Sequence, residues 1–208
     1  VNAFKWGRGI YDNIQCYIQY QLIANITAVI LTLIGSCLFK MSPFQIVSLI
    51  WIYLIIDKLS GIALLTKTPI RKLFERIPNS PTEFILSRQM LRNIIGHVVY
   101  QIVVFVIIIL LSKSVLDIQI NEEPKRISSI MFNTYVFCQI FNLFNSRSVN
   151  DDVSIWTGLF SNPLFFVIVF IILVLQCLFM IFCQSSFSIT RLGVIDWAIS
   201  IVFGVLVL

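Results

Sequence analysis

Charge is the scarcest feature of this sequence. Only 12% of its 208 residues are Asp, Glu, Lys or Arg, and there is a single histidine, His97. A soluble domain carries about 25% charged and about 45–50% apolar residues. Here 58% are hydrophobic and the mean hydropathy is +0.93, which excludes an ordinary soluble domain. None of the five cysteines, Cys16, Cys37, Cys138, Cys177 and Cys183, forms a CxxC pair. They read as buried thiols, with no zinc site and no disulfide framework expected. Nothing resembles a Ser-His-Asp set or a Gly-rich nucleotide loop. There are no internal repeats and no low-complexity segment, and the N-terminus lacks the pattern of a signal peptide. The net charge of +5 does not point to nucleic acid, because the bases bunch in one loop.

What the sequence does have is long apolar runs. A helix needs about 20 residues to cross the hydrocarbon core. Six segments qualify, at roughly 16–39, 43–66, 90–112, 127–145, 161–183 and 191–208. Unpaired backbone groups are not tolerated in lipid, and the runs are too long for barrel strands, so an all-α membrane protein with six transmembrane helices is expected. The first two spans are joined by the short turn LFKMSP, with Pro43 opening the second helix, and should form a tight antiparallel hairpin. The linker at 67–89 has three prolines and, with its flanks, holds Lys67, Arg71, Lys72, Arg76, Arg88 and Arg92 against Glu75 and Glu83. The positive-inside rule places it in the cytosol, and Lys5 and Arg8 agree. The domain plan is therefore a cytosolic stalk at 1–15 and a six-helix membrane domain at 16–208. The chain begins at Val1 and stops at Leu208 inside the run IVFGVLVL, so both ends read as cut and a longer protein is expected.

Asp57 and Lys58 lie side by side in LIWIYLIIDKLSGIALL. Each charge in such a run costs about 2.5–3.5 kcal/mol on insertion scales, so an intramembrane acid is a functional-site hypothesis by default. A hard carboxylate suits calcium or magnesium. The plainer alternative is an ion pair, which is awkward for neighbours about 100° apart on a helix. Lys58 either snorkels toward the cytosolic interface or stands beside Asp57 as a built-in cation. Asn25 could ligate a cation or bond to another helix. The fourth span, FNTYVFCQIFNLFNSR, is the most polar, with Asn133, Thr134, Gln139, Asn142 and Asn145. Helix-to-helix hydrogen bonding is the favoured role there. His97 reads as structural.

The order WGRGIYDNI, QYQLIANITAVI, LIWIYLIIDKLSGIALLTKTP, MLRNIIGHVVYQ and FNTYVFCQIFNLFNSR resembles the C-terminal membrane half of a P-type cation-transporting ATPase of the plasma-membrane calcium-pump type. The likeness is closest over residues 6–100 and 131–147; in the last two spans apolar content does most of the matching. It implies that the six spans are helices five to ten of a ten-helix pump that couples ATP hydrolysis to calcium export. It further implies that Asn25 lies at the helix-five asparagine ligand, Asp57 at the helix-six aspartate and Gln139 at the helix-eight position, where the plasma-membrane type has Gln. Ala28 stands where the two-site type has a second acid. Two departures stand out: Tyr53 replaces an asparagine, and Lys58 replaces a small or uncharged residue.

The resemblance makes calcium the transported ion. ATP and magnesium would act only through cytosolic ATPase domains upstream, because the Asp-Lys-Thr-Gly, Thr-Gly-Glu and Pro-Glu-Gly-Leu motifs are absent here. The chain alone cannot hydrolyse ATP. The implied partners are the lipid bilayer, those domains and calmodulin. The implied location is the plasma membrane or an intracellular vacuolar or endomembrane compartment. A second reading is a truncated or degenerate, non-catalytic paralogue that acts as a structural or interaction protein.

Overall fold

The structure is a computed structural model. It describes residues 2–38, 42–66, 85–114, 124–147, 162–182 and 189–207. Most of the predicted basic linker, and Cys183, lie outside the described residues.

Every regular element among the described residues is helical. They run α1 (Asn2–Leu38), α2 (Ile46–Trp51), a π-helical turn (Ile52–Ile56), α3 (Asp57–Leu65), α4 (Arg88–Ser114), α5 (Pro124–Asn145), α6 (Pro163–Phe182) and α7 (Val194–Val205). Five stretches are long and apolar enough to cross a membrane, with α2, the π turn and α3 acting as one of them. The sixth expected span is a 12-residue helix, α7. Its start is fixed where Gly193 leaves extended backbone and donates its N–H to Asp196 Oδ2 at 2.9 Å. The expected division between stalk and span falls inside α1, which continues as one helix through residues 15 and 16.

Local chemistry sets most starts. Ser87 Oγ accepts the Met90 N–H at 3.1 Å, capping α4. Pro124 and Pro163 open α5 and α6, where a missing N–H costs nothing. Pro43, expected to open the second helix, instead sits in the bend before it, and α2 starts at Ile46. The neighbouring Phe44 is buried and packs edge-to-face on Tyr135 at 5.1 Å, so the bend is held by side-chain packing. Cys16 and Cys138 are buried as expected, whereas Cys37 is exposed at the end of α1 and Cys177 is half-buried.

The least apolar span is the most enclosed. In α5, 89% of the membrane-length window is buried, against 39% in each of the other four. Its polar side chains reach most of the other elements. Ser128 donates to Ser42 O, Thr134 to Ser200, Tyr135 to Ala24 O, Gln139 to Gln101 and Asn145 to Val207 O. Asn133 accepts from Gln176 at 3.1 Å, and Gln176 accepts in turn from Trp51, whose ring stacks on Phe179. The helix-bonding role expected of this span holds for Asn133, Thr134, Gln139 and Asn145, whereas Asn142 bonds within its own segment, donating to Gln139 and accepting from Ser146.

On the opposite side of α5, Gly204 lets α7 approach closely. A Cβ there would lie 2.8 Å from Phe137 Cβ and 3.2 Å from its backbone carbon. Overpacking at such a contact costs about 1–3 kcal/mol. Gly204→Val is therefore expected to lower the thermal unfolding midpoint of the purified protein in detergent. Gly96→Ala, at a position with nothing within 4 Å, should leave it unchanged or slightly raised.

Candidate functional site

The site is built where α1 and α3 run antiparallel, and their register can be read from four contacts. Asn13 Nδ2 donates to Leu65 O at 3.0 Å. One turn along, Tyr17 lies on Gly61, where a Cβ would meet its ring at 3.0 Å. Next, Tyr20 donates to Ser60 Oγ at 3.0 Å. One turn further from Tyr17, Gln21 Nε2 donates to Asp57 Oδ2 at 2.6 Å. The expected antiparallel hairpin is present, and its register continued one turn sets Asn25 level with Tyr53.

Asp57 is 3% exposed and faces α1, not lipid. It follows directly on the π turn, where its N–H bonds back to Ile52 O, five residues earlier. Such a widened turn re-aims side chains and is frequent at functional positions. The phenols of Tyr20, Tyr53 and Tyr135 all lie within electrostatic reach of the carboxylate. Lys58 is exposed on the outer surface, so Asp57 and Lys58 form no close pair despite their adjacency.

Of the other sequence-predicted residues, Asn25 is half-buried, and its side chain makes no hydrogen bond among the described residues. Gln139 is 1% exposed and bonds to Gln101 at 3.0 Å and Asn142 at 3.4 Å, not to Asp57. It lies one turn along α5 from Tyr135. His97 is half-buried in α4. No group of three His, Cys, Asp or Glu gathers among the described residues. Cation ligation here would therefore combine one carboxylate with neutral oxygens, which is chemistry for a hard cation.

Gln21, the direct partner of Asp57, was not among the sequence candidates. The signal available was its place four residues before Asn25, on the same face of one helix.

Residues 41–208 match the family model described as cation transporting ATPase, C-terminus. The chain belongs to that family. Over 98% of its length, this cation-transporting ATPase segment is 34% identical to plasma membrane calcium-transporting ATPase 1 of Gallus gallus. It is 32% identical to plasma membrane calcium-transporting ATPase 4 of Homo sapiens over 99% of the chain, and 33% identical to that of Bos taurus. The chain spans 17% of the length of the first two relatives, in their C-terminal membrane region. Membership of the family and the apolar helices make it a multi-pass integral membrane protein.

The α1–α3 register is open to a direct test. In a cysteine-free background, Tyr17→Cys with Gly61→Cys is expected to cross-link with a short bifunctional thiol reagent. Tyr17→Cys with Asp57→Cys, one turn out of register, should not. Band shifts on denaturing gels read the outcome.

Proposed function

We propose that this chain is the cation-translocating part of the membrane domain of an ATP-driven calcium-transporting ATPase. The observation that carries the reading is Asp57: a buried carboxylate in mid-span, set on a π turn and facing the helix that bears Asn25. Calcium takes six to eight oxygen ligands. In this reading Asp57 supplies the anionic ones, and Asn25 and Gln139 supply neutral ones from α1 and α5. To ligate, Gln139 must exchange its bonds to Gln101 and Asn142 for the ion. ATP and magnesium act through cytosolic domains upstream in the full-length protein, and calcium leaves across the plasma membrane. The continuous helix α1 then serves as the stalk that carries their motion. Calmodulin is a further partner in this reading, with no residue of this chain assigned to it.

The second reading is a degenerate paralogue whose site no longer takes calcium. Two residues favour it. Tyr53 puts a bulky phenol beside Asp57, and Lys58 adds a like charge to that of an arriving cation.

In the full-length protein, calcium-dependent phosphoenzyme formed from ATP should vanish in Asp57→Asn. Phosphoenzyme that persists at unchanged calcium affinity would remove Asp57 from the site. Tyr53→Asn combined with Lys58→Thr is expected to raise calcium affinity if those two residues weaken it. A wild-type protein that forms no calcium-dependent phosphoenzyme, and regains it with this pair, would establish the second reading.

A further inference from the structure

Gln21 holds Asp57 with one end of its carboxamide and leaves the other end without a partner. Nε2 donates to Asp57 Oδ2 at 2.6 Å, a short bond of the charge-assisted kind. Oε1 of the same amide is buried and accepts no hydrogen bond. A buried polar atom left unsatisfied costs about 1–3 kcal/mol, so it calls for an explanation. The neighbouring phenols are satisfied: Tyr20 bonds Ser60 and Tyr135 bonds Ala24 O.

The two ends of a carboxamide exchange places when it turns by half a revolution about its last side-chain bond. A cation at the Asp57 carboxylate competes with the Gln21 N–H for the same lone pairs and repels that N–H. It attracts a carbonyl oxygen. Turning the amide over therefore replaces one charge-assisted hydrogen bond with one cation–oxygen contact. Nothing further is lost, because Oε1 has no bond to break. Gln21 lies one turn from Asn25 on the same helix, so two neutral oxygens of α1 would then flank the carboxylate of α3.

We propose that Gln21 is a direct ligand of the transported divalent cation and the latch of its site. Its Nε2 restrains the Asp57 carboxylate, and its Oε1 joins the ion's oxygen shell when the amide turns. The proposal rests on the reading of Asp57 as a cation ligand given above.

The alternative is a positioning role, in which Gln21 serves only as a donor that orients Asp57. The two roles predict different outcomes for the same variants: a ligand role separates them, and a pure donor role makes both weak. Gln21→Glu keeps the shape, removes the donor and offers oxygen at both positions. Gln21→Leu offers neither. The experiment measures equilibrium radiocalcium binding to the full-length protein in lipid nanodiscs, with a thermal unfolding midpoint recorded for each variant. For a ligand, Gln21→Glu binds calcium at least as tightly as wild type, while Gln21→Leu binds about tenfold or more weakly, a loss equal to about 1.4 kcal/mol. Gln21→Glu should also show the larger calcium-induced rise in midpoint, since calcium relieves the repulsion between its carboxylate and Asp57.

If Gln21→Glu binds calcium as poorly as Gln21→Leu while Asp57→Asn abolishes binding, the ligand role is overturned and the site stands. Calcium binding unchanged in Asp57→Asn overturns the site and the ligand role together. Should Gln21→Leu fail to fold, Gln21→Glu against wild type still decides: equal or tighter binding supports the ligand role, and tenfold weaker binding ends it.

Discussion

A polar side chain in the hydrocarbon core has no water to turn to, and this single constraint orders the bundle. Lipid tails are as apolar as leucine, so apolar surface alone gives one membrane helix little preference for another. Polar groups break that indifference. In this chain they are concentrated on α5, which is the least apolar span and the most deeply enclosed. Its Asn133, Thr134, Tyr135, Gln139 and Asn145 side chains find partners on or beside α6, α7, α1, α4 and the end of α7. Each such bond contributes about 0.6 kcal/mol on average in membranes, so no one of them makes the fold. Together they leave α5 only one place, the centre, and the other helices take positions around it.

The same constraint bears on Asp57 and explains why α1 and α3 are matched turn for turn. The pairing uses a small residue where an aromatic ring must fit, Gly61 under Tyr17, and polar pairs on either side of it. At the far end of α3 the last carbonyls are held by side chains from two other elements: Leu65 O by Asn13 of α1 and Thr66 O by Asn162 at the start of α6. These carbonyls would otherwise be orphans of a helix end. The result is a continuous series of contacts from Asn13 of α1 to the carboxylate. α1 has 37 residues, or about 55 Å at 1.5 Å per residue, well beyond the hydrocarbon thickness of about 30 Å. In the proposed pump, motion of its outer part would reach Asp57 through this helix and its matched partner α3, next to the π turn.

Much of this was legible in the sequence, because apolar length and motif order survive translation into helices. The six apolar segments, the antiparallel first pair and the bonding role of the α5 polar residues follow from composition and spacing. What was not legible has physical reasons. The π turn falls in IYLII, which has neither Gly nor Pro to mark it, since its cause is the packing of the finished bundle. Pro43 was misplaced because Phe44 anchors the bend instead. Gln21 carries no mark of its own in the sequence, and only the register with α3 brings it to Asp57.

The two departures from the family pattern are not equivalent, and their placement says why. Tyr53 is half-buried, at the level of Asn25 in the α1–α3 register, and its phenol is in electrostatic reach of Asp57. It acts on the proposed site by its bulk. Lys58 points the other way. It falls in line with Ile46, Ile50, Leu54 and Ile62, each at least 50% exposed, on a stripe with helical spacing along the outer face. An amine on that face is no substitute for a bound ion at contact distance. Its effect on Asp57 is that of a neighbouring charge without a close ion pair, and such an effect weakens with distance far more gradually than a contact does. Among the described residues, the carboxylate's one hydrogen-bond partner from a side chain is thus the amide of Gln21, and the chemistry of the proposed site turns on what that amide does when a cation comes to the same oxygen.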